Sequence, residues 1–137
     1  MKNQHMSRFT IALIGAVLVA LAGSNVIGAA PIKIGAILAL TGNSAMLGAG
    51  VCDGLQLAVD EVNKRGGVNG SKIELIIEDS KSDPQAGIDA FNKIENTHHP
   101  LFYVSQVSSV GVALAPLAEE KRVVLVGVAI AAVDFTR

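Results

Sequence analysis

The sequence has no tryptophan, one tyrosine, four phenylalanines and one cysteine among its 137 residues. A single cysteine cannot close an internal disulfide, and no Cys-pair spacing offers a structural zinc site. Aromatics make up 4% of the chain, too few for platforms that stack single-stranded nucleic acid. Charge is scarce as well. Eleven Lys and Arg against twelve Asp and Glu leave a net charge of −1, with no basic footprint for nucleic acid. Apolar side chains are abundant, at 50% of residues, which excludes a disordered polar tail. The length suits one ordinary domain.

The first thirty residues stand apart. Lys2, His5 and Arg8 form a basic leader without an acid, followed by fourteen uncharged residues, FTIALIGAVLVALA, and the small, weakly polar GSNVIGAA. Basic leader, apolar stretch and small-residue end describe a secretory signal peptide over residues 1–30. A retained anchor would need about 20 apolar residues, and Ser24, Asn25 and the glycines interrupt the run. The expected location is therefore periplasmic. Residues 31–137 then carry nine basic and twelve acidic side chains, enough chain for one modest core.

In that remainder, four short apolar runs alternate with three helical patterns. IKIGAILAL at 32–40 is too continuous for a strand wet on one face and reads as a parallel strand covered on both sides. A Gly-rich loop is expected at 41–50. Val51, Leu55, Ala58, Val59 and Val62 then fall on one helical face, beside which Cys52 reads as a buried small hydrophobe. Gly66 and Gly67 stop that helix. A second strand is expected at 73–78, a second helix opening on Asp83-Pro84, and a third strand at 101–104. A third helix follows Ser105 to Ser109, with Pro116 expected to bend it or shift its start, and a fourth strand covers 123–128. Alternation of this kind predicts an α/β fold, a Rossmann-like half of a doubly wound parallel sheet with strand order 2-1-3-4.

Ligands of such sheets sit beyond the carboxyl ends of the strands, where the winding reverses, here between strands one and three. The flanking loops are 41–50 and 105–109, with 128–133 beside them. Each of the first two runs into a helix N-terminus, which favours an anion. Ser108 and Ser109 place hydroxyls there, either as a helix cap or as ligand contacts. Nucleotide motifs fail on spacing: no Lys-Ser/Thr follows Gly48, and Asp53 stands where a dinucleotide fingerprint needs its third glycine. His98 and His99 fall at the opposite, amino edge of the sheet. Asp60/Glu61 and Glu119/Glu120 read as solvated helix faces. No Ser/His/Asp or Cys/His set converges on one loop, so no catalysis is assigned and no cofactor is expected.

Four blocks carry a family resemblance: IKIGAILALTG at 32–42, AVDEVNKRGGVNG at 58–70, KIELIIEDSKSDPQ at 72–85 and VSSVGVALAPLAEE at 107–120. Together they resemble the branched-chain amino acid (leucine-type) solute-binding proteins of ABC transporters, the type I periplasmic binding proteins. The resemblance implies a partial first lobe over 31–137, the amino-terminal fragment of a two-lobed clamshell. It also implies capture of a small amino acid or amide and delivery to membrane permease subunits, with no nucleic acid partner. Ser108 or Ser109 then matches the serine that holds the ligand carboxylate, beside the Val107 backbone. Ala129 offers backbone only, Ala131 stands where the family often has a threonine, and Leu47 where it often has an aromatic. A ligand-sensing domain of a receptor or regulator, a non-functional truncated fragment and an enzyme on the same sheet are the alternatives.

Overall fold

The computed structural model describes residues 29–136, so the leader reading of 1–30 lies almost wholly outside the described residues. Four strands, β1 (Ile32–Leu38), β2 (Ile73–Asp79), β3 (Phe102–Gln106) and β4 (Val124–Val128), form one sheet. Its order is β2-β1-β3-β4 and every pairing is parallel, as the alternating pattern predicts. Three helices connect the strands: α1 (Ala45–Lys64), α2 (Pro84–His98) and α3 (Ser108–Lys121). A short 3-10 turn, Val133–Thr136, follows β4.

β1 is central, and its apolar run serves two cores, because successive side chains point to opposite faces. Ile37 joins Phe91, Ile94, Tyr103, Val110 and Leu114 beneath α2 and α3. Ile34, Ala36 and Leu38 join Val104 on the other face, where Val51, Cys52 and Leu55 of α1 pack against them. Gly35 matters here because Tyr103 leaves no room: a Cβ at this position would lie 2.6 Å from Tyr103 Cδ1. Tyr103 is fully buried, its ring centroid 4.5 Å from that of Phe91, and its hydroxyl donates to Glu95 Oε2 at 2.6 Å. Burial, reinforced by that hydrogen bond and the Glu95 charge, pushes the Tyr103 pKa far above its ordinary value.

Local signals set most element ends. Asp83 caps α2 by accepting from Ala86 N–H at 2.8 Å, with Pro84 in the first turn. Gly67, at φ +83°, ends α1, its N–H reaching Val62 O at 2.9 Å. The Asn63 carboxamide then clasps both backbone groups of Ile73, pinning the end of α1 to the start of β2.

Three expectations need correction. α1 starts at Ala45, so six of the ten residues of the expected Gly-rich loop are helical. The glycine there serves close approach: Gly48 is buried against the Ala39 carbonyl, where a Cβ would overlap the backbone. β3 runs to Gln106, two residues beyond its expected end, so Ser105 and Gln106 belong to the strand. Pro116 lies inside α3, which starts at Ser108. Cys52 and Ala58 are not buried: Cys52 is half-exposed and Ala58 faces solvent.

Candidate functional site

The parallel sheet brings the exits of β1, β3 and β4 to one edge. Two hydrogen bonds tie them together there. Ala39 N–H, just past β1, donates to the Gln106 side-chain oxygen at 3.2 Å. Ala131 N–H, past β4, donates to Ser108 Oγ at 3.1 Å. The switch point between β1 and β3 is therefore bridged at its floor by Gln106, and the neighbouring β3–β4 exits are bridged by Ser108.

The serines do not cap α3. Val107 is the N-cap residue, with no side-chain cap, and Ser108 and Ser109 are the first two helical positions. Gly111 N–H to Val107 O, at 2.9 Å, is the first bond of that helix. The amides of Ser108, Ser109 and Val110 thus lie in the turn whose N–H groups have no intrahelical acceptor. Ser109 is exposed and Ser108 half-buried. Val107 holds φ +71°, an unusual conformation for a β-branched residue, and Ala129 holds φ +56°. Sites under such strain are commonly those held in place for a purpose. Ala129 and Ala131 are both exposed on the β4 exit. Leu47 sits in the first turn of α1, 54% exposed, and no hydrogen bond among the described residues ties that turn to the serines.

The loop between β1 and α1 is fixed from below by β2. Asp79 Oδ1 accepts from Leu40 N–H at 2.9 Å, Thr41 N–H at 3.1 Å and Lys81 N–H at 2.7 Å. Its Oδ2 accepts from the Thr41 hydroxyl at 2.6 Å. Burial works to raise the Asp79 pKa, but the bonds from Thr41, Lys81 and Leu40 outweigh it and hold it below 3.8. Ser82 completes the clasp, accepting from Ser44 N–H and donating to Thr41 O, both at 3.0 Å.

None of these exits (39–47, 105–109 and 129–132) carries a charged side chain. At the mouth of α3 an anion would meet hydroxyls, amides and the positive end of a helix, whereas the β1 exit carries the Asp79 carboxylate bound to Leu40 and Thr41. Gln106, fully buried, keeps its Nε2 without a hydrogen-bond partner among the described residues, as do the buried hydroxyls of Ser80 and Ser105. Gln106, Asp79 and Thr41 are the residues that sequence reasoning missed. A polar residue closing an apolar strand was the available signal for Gln106. His98 and His99 lie at the opposite edge, beside Pro31, Lys33 and Leu101. No group of three metal-ligating side chains occurs among the described residues.

Comparison with known proteins agrees with the fold. The periplasmic binding protein family model matches residues 31–137. This chain belongs to the periplasmic binding protein family. It is 34% identical, over 128 residues, to a Leu/Ile/Val-binding protein of Rhizobium johnstonii, covering 93% of this chain and 35% of that protein. Among solved structures it resembles the branched-chain amino acid transporter substrate-binding protein of Streptococcus pneumoniae, determined with isoleucine, at 28% identity and a TM-score of 0.73. That match covers 77% of this chain and 31% of the other. A fatty acid ABC transporter substrate-binding protein from Thermomonospora curvata matches at 31% identity and a TM-score of 0.66, over 71% of this chain and 25% of its own. The chain spans about a third or less of the length of these relatives. The sheet order 2-1-3-4 is that of part of a binding-protein lobe, and the family is one of ABC transporter substrate-binding proteins rather than enzymes.

Proposed function

We propose that this chain is part of an extracytoplasmic, periplasmic solute-binding component of an ABC transporter that takes up branched-chain or related amino acids. Residues 1–30 act as its export signal, and membrane permease subunits receive its cargo. The observation that carries the reading is the open N-terminus of α3 at the switch point. Its uncommitted amides and the exposed Ser109 hydroxyl sit beside the β1 and β4 exits, and neither 105–109 nor 129–132 contains an acid to repel a carboxylate. An isoleucine and a fatty acid, the cargoes named for two similar proteins, differ in most of their chemistry but share a carboxylate. In this reading, Ser109 and the amides of 108–110 hold that group, the Val107 and Ala129 backbones shape its pocket, and Ala131 and Leu47 line the rim.

An open face encloses little of a ligand, so affinity for a free amino acid is expected in about the millimolar range, roughly −4 kcal/mol. The test is a ¹H–¹⁵N titration of the 137-residue chain with leucine, isoleucine, valine and leucine methyl ester. Saturable shifts at the amides of 107–110 with the free acids, and none with the ester, support the reading. Equal response to acid and ester, or none at these amides, overturns it.

A further inference from the structure

The two serines at the mouth of α3 have different environments, and the difference separates their work. Ser108 is half-buried at the first helical position, and its oxygen accepts from Ala131 N–H at 3.1 Å, across 23 residues of sequence. Ser109, one position on, is exposed, and no hydrogen bond engages its hydroxyl among the described residues. The two segments joined by Ser108 both start from unusual backbone, at Val107 with φ +71° and Ala129 with φ +56°. Neither conformation is one that an L side chain adopts without support from its surroundings.

The β4 exit is fastened to α3 a second time, by packing. Gly111 in the first turns of α3 and Gly127 in β4 lack the Cβ that would overlap Ile130 Cδ1 and the Phe135 ring. Ile130 and Phe135 are half-buried there. The segment 129–135 therefore folds back over the start of α3, held by apolar contact near its beginning and at its end. Ser108 adds the polar attachment at Ala131. A hydroxyl has one donor and two acceptor sites. Accepting from Ala131 fixes the rotamer of Ser108 and removes the Ala131 N–H from the pool of amides that a ligand could use.

We propose that Ser108 is a positioning residue, a latch that sets the β4 exit against α3, and that Ser109 with the α3 amides is left as the one-sided receptor for a carboxylate. The assignment of the carboxylate rests on the function proposed above; the latch itself does not. Ser108→Ala removes the acceptor and frees the exit, whereas Ser108→Thr keeps an acceptor oxygen at the same place.

The experiment uses the 137-residue chain, with hydrogen exchange at the Ala131 amide and titration with leucine read on the same samples. In Ser108→Ala, Ala131 exchange is expected to accelerate at least tenfold while Tyr103 and Val104 in the core keep their protection. Leucine affinity is expected to fall about fivefold, the scale of one hydrogen bond. Ser108→Thr restores both. Ser109→Ala weakens leucine at least as much and leaves Ala131 exchange unchanged. Unchanged Ala131 exchange in Ser108→Ala overturns the latch. A fall in affinity that Ser108→Thr does not restore overturns its positioning role. Absence of any carboxylate binding by the unmodified chain overturns the functional reading, and Ala131 exchange then decides the latch alone.

Discussion

Replacing Asp79 by asparagine tests how the β1–α1 loop is held. The carboxylate accepts four hydrogen bonds, three from backbone N–H groups and one from the Thr41 hydroxyl. Asparagine keeps one acceptor oxygen and turns an amide towards the other donor. Each bond contributes about 0.5–1.5 kcal/mol net, towards the lower end where water can substitute. Asp79→Asn is therefore expected to cost about 1 kcal/mol and Asp79→Ala about 2 kcal/mol. Urea unfolding at pH 7 measures both, with an unchanged slope showing that only stability has moved. The pH dependence gives the sharper check. Because the folded pKa lies below its ordinary value of 3.8, the carboxylate stabilises the fold above that value. This contribution is lost as pH falls through the folded pKa. The gap between the natural chain and Asp79→Asn should be flat above about pH 5 and shrink below 3.8. A gap that is absent at pH 7, or that stays constant down to the acid limit, refutes the reasoning.

Two further changes probe the core and the floor of the site. Gly35→Ala would push a methyl group into the Tyr103 ring and strain the hydroxyl's bond to Glu95. A loss of about 2–4 kcal/mol is expected by chemical denaturation, and Gly35→Ala with Tyr103→Phe should cost less than the sum of the two single changes. Gln106→Leu removes both the bond to Ala39 N–H and the unpartnered Nε2, so its stability should stay within about 1 kcal/mol of the natural chain. Gln106→Ala, which also leaves a cavity, should lose about 2 kcal/mol or more in the same assay.

The sheet order was legible because its signals are additive and local: apolar runs of strand length, helical stripes between them, and a capping Asp83 before Pro84. The edges of the site were less so. Glycines at 48 and 50 suggest a loop, but Gly48 is needed where a helix lies against the Ala39 carbonyl, and spacing alone does not separate turn from close approach. The end of β3 was missed because Ser105 and Gln106 are polar, and their complete burial follows from the helices packed on both faces of the sheet. Similarly, Ser108 and Ser109 are equivalent in sequence as helix-opening residues. Only the return of the chain to Ala131, which depends on β4 lying beside β3, tells them apart.

The position of β1 in the middle of the sheet has a consequence for how the chain is made. Its second neighbour, β3, is synthesised more than sixty residues later. At roughly 5–20 residues per second, a nascent chain carries the bare IKIGAIL segment for several seconds with one flank unpaired. Long-range pairing of this sort slows folding. For that interval the apolar flank of β1 that β3 will cover stays exposed, until Phe102–Gln106 emerges.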